Sequence, residues 1–401
     1  MQKQSFDYIV VGGGLAAASA VEGIRELDEN GSLLLISEEK HLPYDRPPLS
    51  KKLWFGSMKE EEIFLHEREY YSSKGVTLAL NTRAASLDPA GKTVTDQNGG
   101  EYEYENLLLA TGGSPRRLSI PGGELDGICY FRSLDDYRRI RKESGDARSV
   151  AIIGGGFIGS ELAAALSGNN LAVTMIYPEE YLCSRIFPPT LGRAVQDYFL
   201  NKGIRILNGD KPLSIEKSGQ RFLVRTERGA TVESEILIVG IGITPNTDLA
   251  QSAGLEIGNG IKVNAYAQTS NQHIYAAGDI AFFPYAALDT HTRIEHWDHA
   301  LKHGKQAGRN MAGACEPYNH QPFFYSDLFE LSYEATGEID SRLETFADWQ
   351  QENHTGVVYY LNNGVIRGVM MCNVWEKVDF ARELIRKKEH HTRERLTGLI
   401  R

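Results

Sequence analysis

Two short stretches of this sequence have the residue types and spacing to hold a pyrophosphate. One is Gly12-x-Gly14-x-x-Ala17 and the other is Gly154-x-Gly156-x-x-Gly159. In such a run the first glycine permits a tight turn and the second lets a diphosphate approach the backbone. The small third residue lets the following helix pack closely on the preceding strand. Gly13, Leu15 and Ala16 fill out the first turn, and Phe157 and Ile158 the second. The N–H groups that open the helix then face the phosphates with the positive end of its dipole behind them. Glu38 lies 26 positions beyond Gly12, and Glu179 lies 25 beyond Gly154, each at the end of an apolar run. A carboxylate there can accept hydrogen bonds from ribose hydroxyls. One glycine pattern is often only a turn, but two copies with acids at matching distances specify two dinucleotide sites. A flavin and a nicotinamide are the pair that makes chemical sense, because a hydride must pass between them. Spacing alone leaves open which copy holds which.

The elements that must position these residues are readable around them. YIVVGGGLAAASAVEGIREL from Tyr8 and VAIIGGGFIGSELAAALSG from Val150 share a plan of apolar strand, three glycines and alanine-rich helix. Each is followed by a second apolar run, giving strand–turn–helix–strand. ENLLLATGGSPRRL reads as a buried strand leaving the first domain, and SEILIVGIGITPN as the return near Asn246. HIYAAGDIAFFP is a short strand ending at Gly278-Asp279, and His296 to Met311 has helical spacing. After Pro322 the pattern changes to aromatic alternation, as expected of a separate antiparallel α+β domain. The expected fold is α/β, with two Rossmann-like dinucleotide-binding domains and a C-terminal α+β domain. Its expected boundaries are 1–117 and 246–321 for the two parts of the first domain, 118–245 for the second, and 322–401 for the third.

Composition narrows the functional classes. The chain has 401 residues, 43 Lys and Arg against 53 Asp and Glu, and a formal charge of −10, which disfavours a dedicated nucleic-acid binder. Cys129, Cys183, Cys315 and Cys372 are scattered without CxxC spacing, so they read as buried free thiols in a reducing cytosol rather than metal ligands. No metal site is expected. The N-terminus shows no cleavable leader, and apolar runs such as ILIVGIGI fall far short of a bilayer span. A cytoplasmic protein without a membrane span is expected.

The motifs HLPYDRPPLSKKLW, ATGGSPR, GGGFIGSELA, IYAAGD and EHWDHA resemble the two-dinucleotide-binding-domain flavoproteins. Within that family they are similar to the ferredoxin reductases of Rieske-type oxygenase systems and to the apoptosis-inducing-factor group with its bacterial relatives. The resemblance implies a glutathione-reductase-like arrangement in which the N-terminal fingerprint binds FAD and the second binds the nicotinamide. It implies FAD contacts from the first fingerprint with Glu38, Arg46, Lys51, Ala84, Arg132 and Asp279. For the nicotinamide it implies Gly156, Phe157, Ile158, Glu161, Glu179, Arg185, Gly240, Glu295 and His296. Phe157 and His296 would flank the nicotinamide ring, and Trp297 and Tyr325 would lie near the flavin edge. The resemblance also places Lys51 and Glu161, the latter on the first turn of its helix, together at flavin N5. There the ammonium would stabilise developing negative charge and the carboxylate would hold the lysine.

The expected activity is therefore hydride transfer from NADH to FAD, with electrons passed on to an external acceptor such as a ferredoxin or a quinone. No cysteine occurs from Glu39 to Lys74, where disulfide-reducing flavoproteins of this kind carry theirs. A second expectation is an NADH-sensing flavoprotein whose reduction controls dimerisation or partner binding, so the chain would be a monomer or a homodimer. NADH is expected over NADPH, because Glu179 would repel a 2′-phosphate. Residues 381–401 carry seven Lys and Arg against three Glu, a net +4 that could steer an acidic ferredoxin.

Overall fold

A computed structural model describes residues 3–401. The described residues form two compact units, one of residues 3–45, 60–114 and 245–323 and one of residues 46–59, 115–244 and 324–401.

In the first unit the strand Gln4–Val11 lies at the centre of a sheet, parallel to Leu33–Ile36 on one side and Glu101–Leu109 on the other. Val76–Ala79 extends the sheet beyond Leu33–Ile36, and Ile274–Ala276 joins Glu101–Leu109 in parallel. Every residue of Leu33–Ile36 is buried, which is why this strand is unbroken LLLI rather than alternating. The helix Leu15–Arg25 crosses back between the first two strands. It packs against Trp297–Met311 nearly backbone to backbone. A Cβ on Gly304 would lie 2.3 Å from the Ala16 carbonyl oxygen, and one on Gly308 would lie 2.1 Å from that of Ala20. The exit and return segments are laced together: Thr111 Oγ1 donates to the Asn246 carbonyl (3.0 Å), and Asn246 Nδ2 donates to that of Thr111 (2.9 Å). Ser114 Oγ donates to Asn246 Oδ1 (2.8 Å).

The second unit repeats the plan. Ser149–Ile153 pairs in parallel with Ala172–Tyr177 and Ile236–Val239, and the helix Phe157–Gly168 makes the crossover. An antiparallel three-stranded sheet, Pro212–Ser218, Arg221–Thr226 and Thr231–Ser234, accompanies it. The C-terminal part is a five-stranded sheet with Phe323–Leu328 at one edge and Glu344–Gln351 at the other, with the helix Val378–Lys387 packed on it. Its pairings Leu331–Gly337 with Val365–Cys372, and Thr355–Asn362 with both neighbours, are antiparallel. The fold is therefore α/β with two Rossmann-like units and a C-terminal α+β domain.

One local expectation needs correction. Cys315 is exposed, not buried: it lies in the irregular segment that follows the helix ending at Met311, with a left-handed φ of 54°. The C-terminal segment that carries the net positive charge is anchored at points and otherwise half-buried or exposed. Leu396 and Ile400 are buried, and Arg382, Arg386 and Arg393 pair with Asp379, Glu383 and Glu344. Among the described residues no helix is long and apolar enough to cross a membrane.

Candidate functional site

The two fingerprint turns are built alike. Gly12 has φ +143°, and a Cβ there would lie 2.2 Å from the Ala110 carbonyl oxygen; Gly154 has φ +124°, with Gly240 oxygen at 2.3 Å. The Gly12 N–H donates to Ile36 O and that of Gly154 to Ile176 O, which ties each turn to the second strand of its unit. Gly14 and Gly156 open the two helices with no side-chain cap, and neither helix carries an acid in its first turn. A Cβ on either glycine would meet nothing within 4 Å. Each helix thus presents uncapped N–H donors and an uncompensated dipole to open space, which fits a pyrophosphate. The third position differs: Ala17 is fully buried, whereas at Gly159 a Cβ would lie 2.1 Å from Gly154 O. Gly13 abuts Ser37 Oγ, so its side of the turn is closed. Glu38, exposed, and Glu179, half-buried, each follow their strand by two residues, at the position suited to a ribose.

The first unit also carries Ala84, Asp279, Glu295, His296 and Trp297. Ala84 opens the strand Ala84–Asp88 and is half-buried. Asp279 sits in a single tight turn, Gly278–Ile280, and its carbonyl accepts from Arg293 Nη1 at 3.0 Å. Arg293 also pairs with Glu295 at 2.6 Å. His296 is the N-cap of Trp297–Met311, and burial of its ring pushes the imidazole down to about 4. Trp297 Nε1 donates to Asp45 Oδ1 at 2.7 Å, and burial raises that carboxyl above its usual range. One and two turns further on, His299 and His303 are fully buried against Phe283 and Tyr318. His299 Nδ1 lies 3.0 Å from the Tyr318 hydroxyl. Burial pushes His303 down to about 3 and His299 well below the ordinary histidine value.

The second unit brings Lys51 and Glu161 together. Lys51 Nζ lies 2.9 Å from Glu161 Oε1, with side-chain exposures of 10% and 5%, so this ion pair is sheltered from solvent screening. The Tyr325 ring centroid is 4.9 Å from the same ammonium. Glu161 is one turn deeper than its expected place. The helix opens at Phe157 and Glu161 is its fifth residue, so it does not serve the helix N-terminus. Sequence reasoning missed its other two partners. Ser50 Oγ donates to Oε2 at 2.5 Å and Ser326 Oγ donates to Oε1 at 2.6 Å. Arg46 Nη1 donates to the Arg132 carbonyl (2.9 Å), whose N–H reaches Asp136 Oδ2 (3.0 Å). Phe157 packs edge-on against Phe324, with ring centroids 5.5 Å apart, and Ile158 is 37% exposed beside it in sequence. Gly240 closes over the second turn as described, while Arg185 is exposed and its carbonyl accepts from the Ser341 N–H.

Residues 6–304 match the family model described as pyridine nucleotide-disulphide oxidoreductase. The chain belongs to that family. Residues 307–355 match the model of the mitochondrion-associated C-terminal region of apoptosis-inducing factor. The pyridine nucleotide-disulphide oxidoreductase family implies FAD and NAD(P)H, and the two fingerprint turns fit them; the protein is an NAD(P)H-dependent FAD oxidoreductase. It is 32% identical to apoptosis-inducing factor 1, mitochondrial, of Dictyostelium discoideum, over 96% of this chain and 79% of that protein. It is 33% identical to the rubredoxin-NAD(+) reductase of Pseudomonas putida, over 82% of this chain and 86% of that one. Among solved structures it is similar to a ferredoxin reductase of Rhodopseudomonas palustris, with a TM-score of 0.91 and 27% identity over 98% of both chains. Putidaredoxin reductase in its covalent complex with putidaredoxin gives 0.90 and 27%, over 96% of this chain and 93% of that one.

Proposed function

We propose that this oxidoreductase uses NADH to reduce FAD and delivers the electrons to a small iron–sulfur protein. The observation that carries the reading is the doubled fingerprint without any cysteine from Glu39 to Lys74. Electrons then have no route through a disulfide of that segment and leave for an external acceptor. The acceptors named for two relatives, a rubredoxin and a ferredoxin, favour a one-electron protein carrier over a quinone. When bound, FAD accepts a hydride and releases its electrons one at a time.

The chain's residues have assigned tasks in this reading. Gly12, Gly14 and the helix behind them hold the FAD pyrophosphate, with Glu38 on the ribose; Gly154, Gly156 and Glu179 do the same for NADH. Lys51 sets a positive charge beside flavin N5, and Glu161 fixes its position. Arg46, Arg132 and Asp279 are assigned to FAD; Arg185, Glu295 and His296 to the nicotinamide nucleotide; and Trp297 and Tyr325 to the flavin edge. The half-buried Glu179 disfavours a 2′-phosphate and gives the NADH preference. Anaerobic stopped-flow reduction by NADH, followed by mixing with rubredoxin, a [2Fe–2S] ferredoxin, a quinone and monodehydroascorbate, tests the proposal. Fastest reoxidation by an iron–sulfur protein is expected, and fastest reoxidation by the quinone or by monodehydroascorbate would overturn it.

The match of residues 307–355 supports a second reading, in which reduction by NADH controls partner binding or dimerisation. It calls for a slowly reoxidised complex with NAD and a change of mass on adding NADH, measurable by analytical ultracentrifugation.

A further inference from the structure

The Glu161 carboxylate is reached by more than its lysine. Its Oε2 accepts from Ser50 Oγ at 2.5 Å, and its Oε1 accepts from Ser326 Oγ at 2.6 Å as well as from Lys51 Nζ at 2.9 Å. Both serines are buried, at 3% and 1% exposure. They arrive from separate parts of the chain. Ser50 ends the one-turn helix Pro47–Ser50, whose prolines set its backbone, and Ser326 lies in the C-terminal strand Phe323–Leu328. In that strand Ser326 and Leu328 are the fully buried positions, so Ser326 puts a hydroxyl where the alternation calls for an apolar side chain. A buried hydroxyl is costly unless it is satisfied, and here an ionised oxygen satisfies both.

We infer that Ser50 and Ser326 are positioning residues for hydride transfer: they hold the Glu161 carboxylate in place and disperse its charge, leaving more of the Lys51 positive charge for the reacting flavin. Two hydroxyl dipoles with their positive ends on the carboxylate partly offset it. Without them the carboxylate answers Lys51 alone and cancels its field more completely. The C-terminal domain thereby enters the electrostatics of the reaction through one hydroxyl. The inference rests on the placement of Lys51 and Glu161 at flavin N5 given under Proposed function.

The test is the FAD midpoint potential, measured by spectroelectrochemistry on the holoenzyme, together with the NADH reduction rate at saturation. Ser50→Ala and Ser326→Ala are each expected to lower the two-electron equilibrium for FAD reduction roughly tenfold, ~30 mV toward more negative potential. The double variant should shift further, with FAD occupancy and the KM for NADH held. Ser326→Thr, which keeps the hydroxyl, should restore the parent potential; a threonine variant that behaves like alanine overturns the assignment to the hydroxyl. Alanine variants at the parent potential with full FAD overturn the inference. Lys51→Met measured alongside separates the two levels. A shift there with none from the serine variants refutes this inference alone, and no shift from Lys51→Met refutes the placement at flavin N5 and this inference with it.

Discussion

The two fingerprint helices begin from the same turn and are put to different uses. In Leu15–Arg25 the residues after the turn are small, and Ala16, Ala20 and Gly23 lie against the backbone of Trp297–Met311. In Phe157–Gly168 the position equivalent to Ser19 is Glu161, and both are buried. The first helix is a packing element whose charged groups, Glu22 beside His66 and Arg25 on the Lys74, Asp28 and Gly31 carbonyls, tie down neighbouring loops. The second brings a carboxylate into its unit's interior, where three donors meet it. A repeated glycine turn thus offers the same uncapped helix start twice and leaves the helix behind it free to serve packing or to carry a buried carboxylate.

The largest expected effect comes from attacking the shared part. Alanine at Gly12 or Gly154 forces a Cβ onto a carbonyl oxygen at a strained φ, at a cost of about 3 kcal/mol. Gly12→Ala should purify with little FAD. Gly154→Ala should keep FAD and lose rapid reduction by NADH. Flavin content and NADH titration check this, and the opposite pattern would exchange the two assignments. Next comes the part that is not shared. Lys51→Ala should slow hydride transfer about a hundredfold (~2.7 kcal/mol) with FAD retained. Glu161→Ala should slow the same step, and the double variant should cost less than the sum of the singles. Additive, small effects in single-turnover reduction would show that the pair has no part in the reaction.

Acid should separate the units further. His299 and His303 are fully buried in the first unit, whereas His354, His390 and His391 of the second are half-buried or exposed. The His303 value is lowered to about 3. The unfolded chain, titrating near 6.5, therefore binds more protons below that pH. This stability is complete above about pH 6.5, and about 2 kcal/mol is lost by pH 5. Urea unfolding at pH 7 and pH 5, followed by FAD release, should show it, and equal midpoints would refute it. The smallest effect concerns the acids after each second strand. We expect NADH to be preferred over NADPH by about tenfold (~1.4 kcal/mol), with Glu179→Arg narrowing the gap; equal kcat/KM values in the parent would count against the role of Glu179.

Much of this was legible in residue order because both fingerprints are local: glycines, an apolar strand and an acid within one crossover. The strand–helix–strand units, the helix after His296 and the antiparallel C-terminal domain all follow from local pattern. The Lys51–Glu161 pair does not. Its members are 110 positions apart, and only resemblance brought them together. Ser50 and Ser326 carried no signal, since a serine after prolines or within a strand is ordinary until its partner is seen. The buried histidines did leave a trace, the i, i+4 spacing of His299 and His303 in an otherwise amphipathic helix. The depth of Glu161 was misjudged because the helix starts at Phe157, a boundary that glycine-rich sequence marks poorly.

The lacing of Asn246 to Thr111 and Ser114 has a consequence for the chain as an assembly of parts. It fastens the chain ends at residues 114 and 245 to each other, so the segment Pro115–Thr244 leaves and rejoins the first unit at one place, apart from the crossings at 45–60 and 323–324. A seam already held shut adds little loop-closure entropy when what hangs from it is changed. Replacing Pro115–Thr244 by a linker of about four residues should leave the parallel sheet around Gln4–Val11 intact, as hydrogen exchange of its amides would report. Changes within Pro115–Thr244 therefore reach the first unit's sheet chiefly through this one pair of hydrogen-bonded ends.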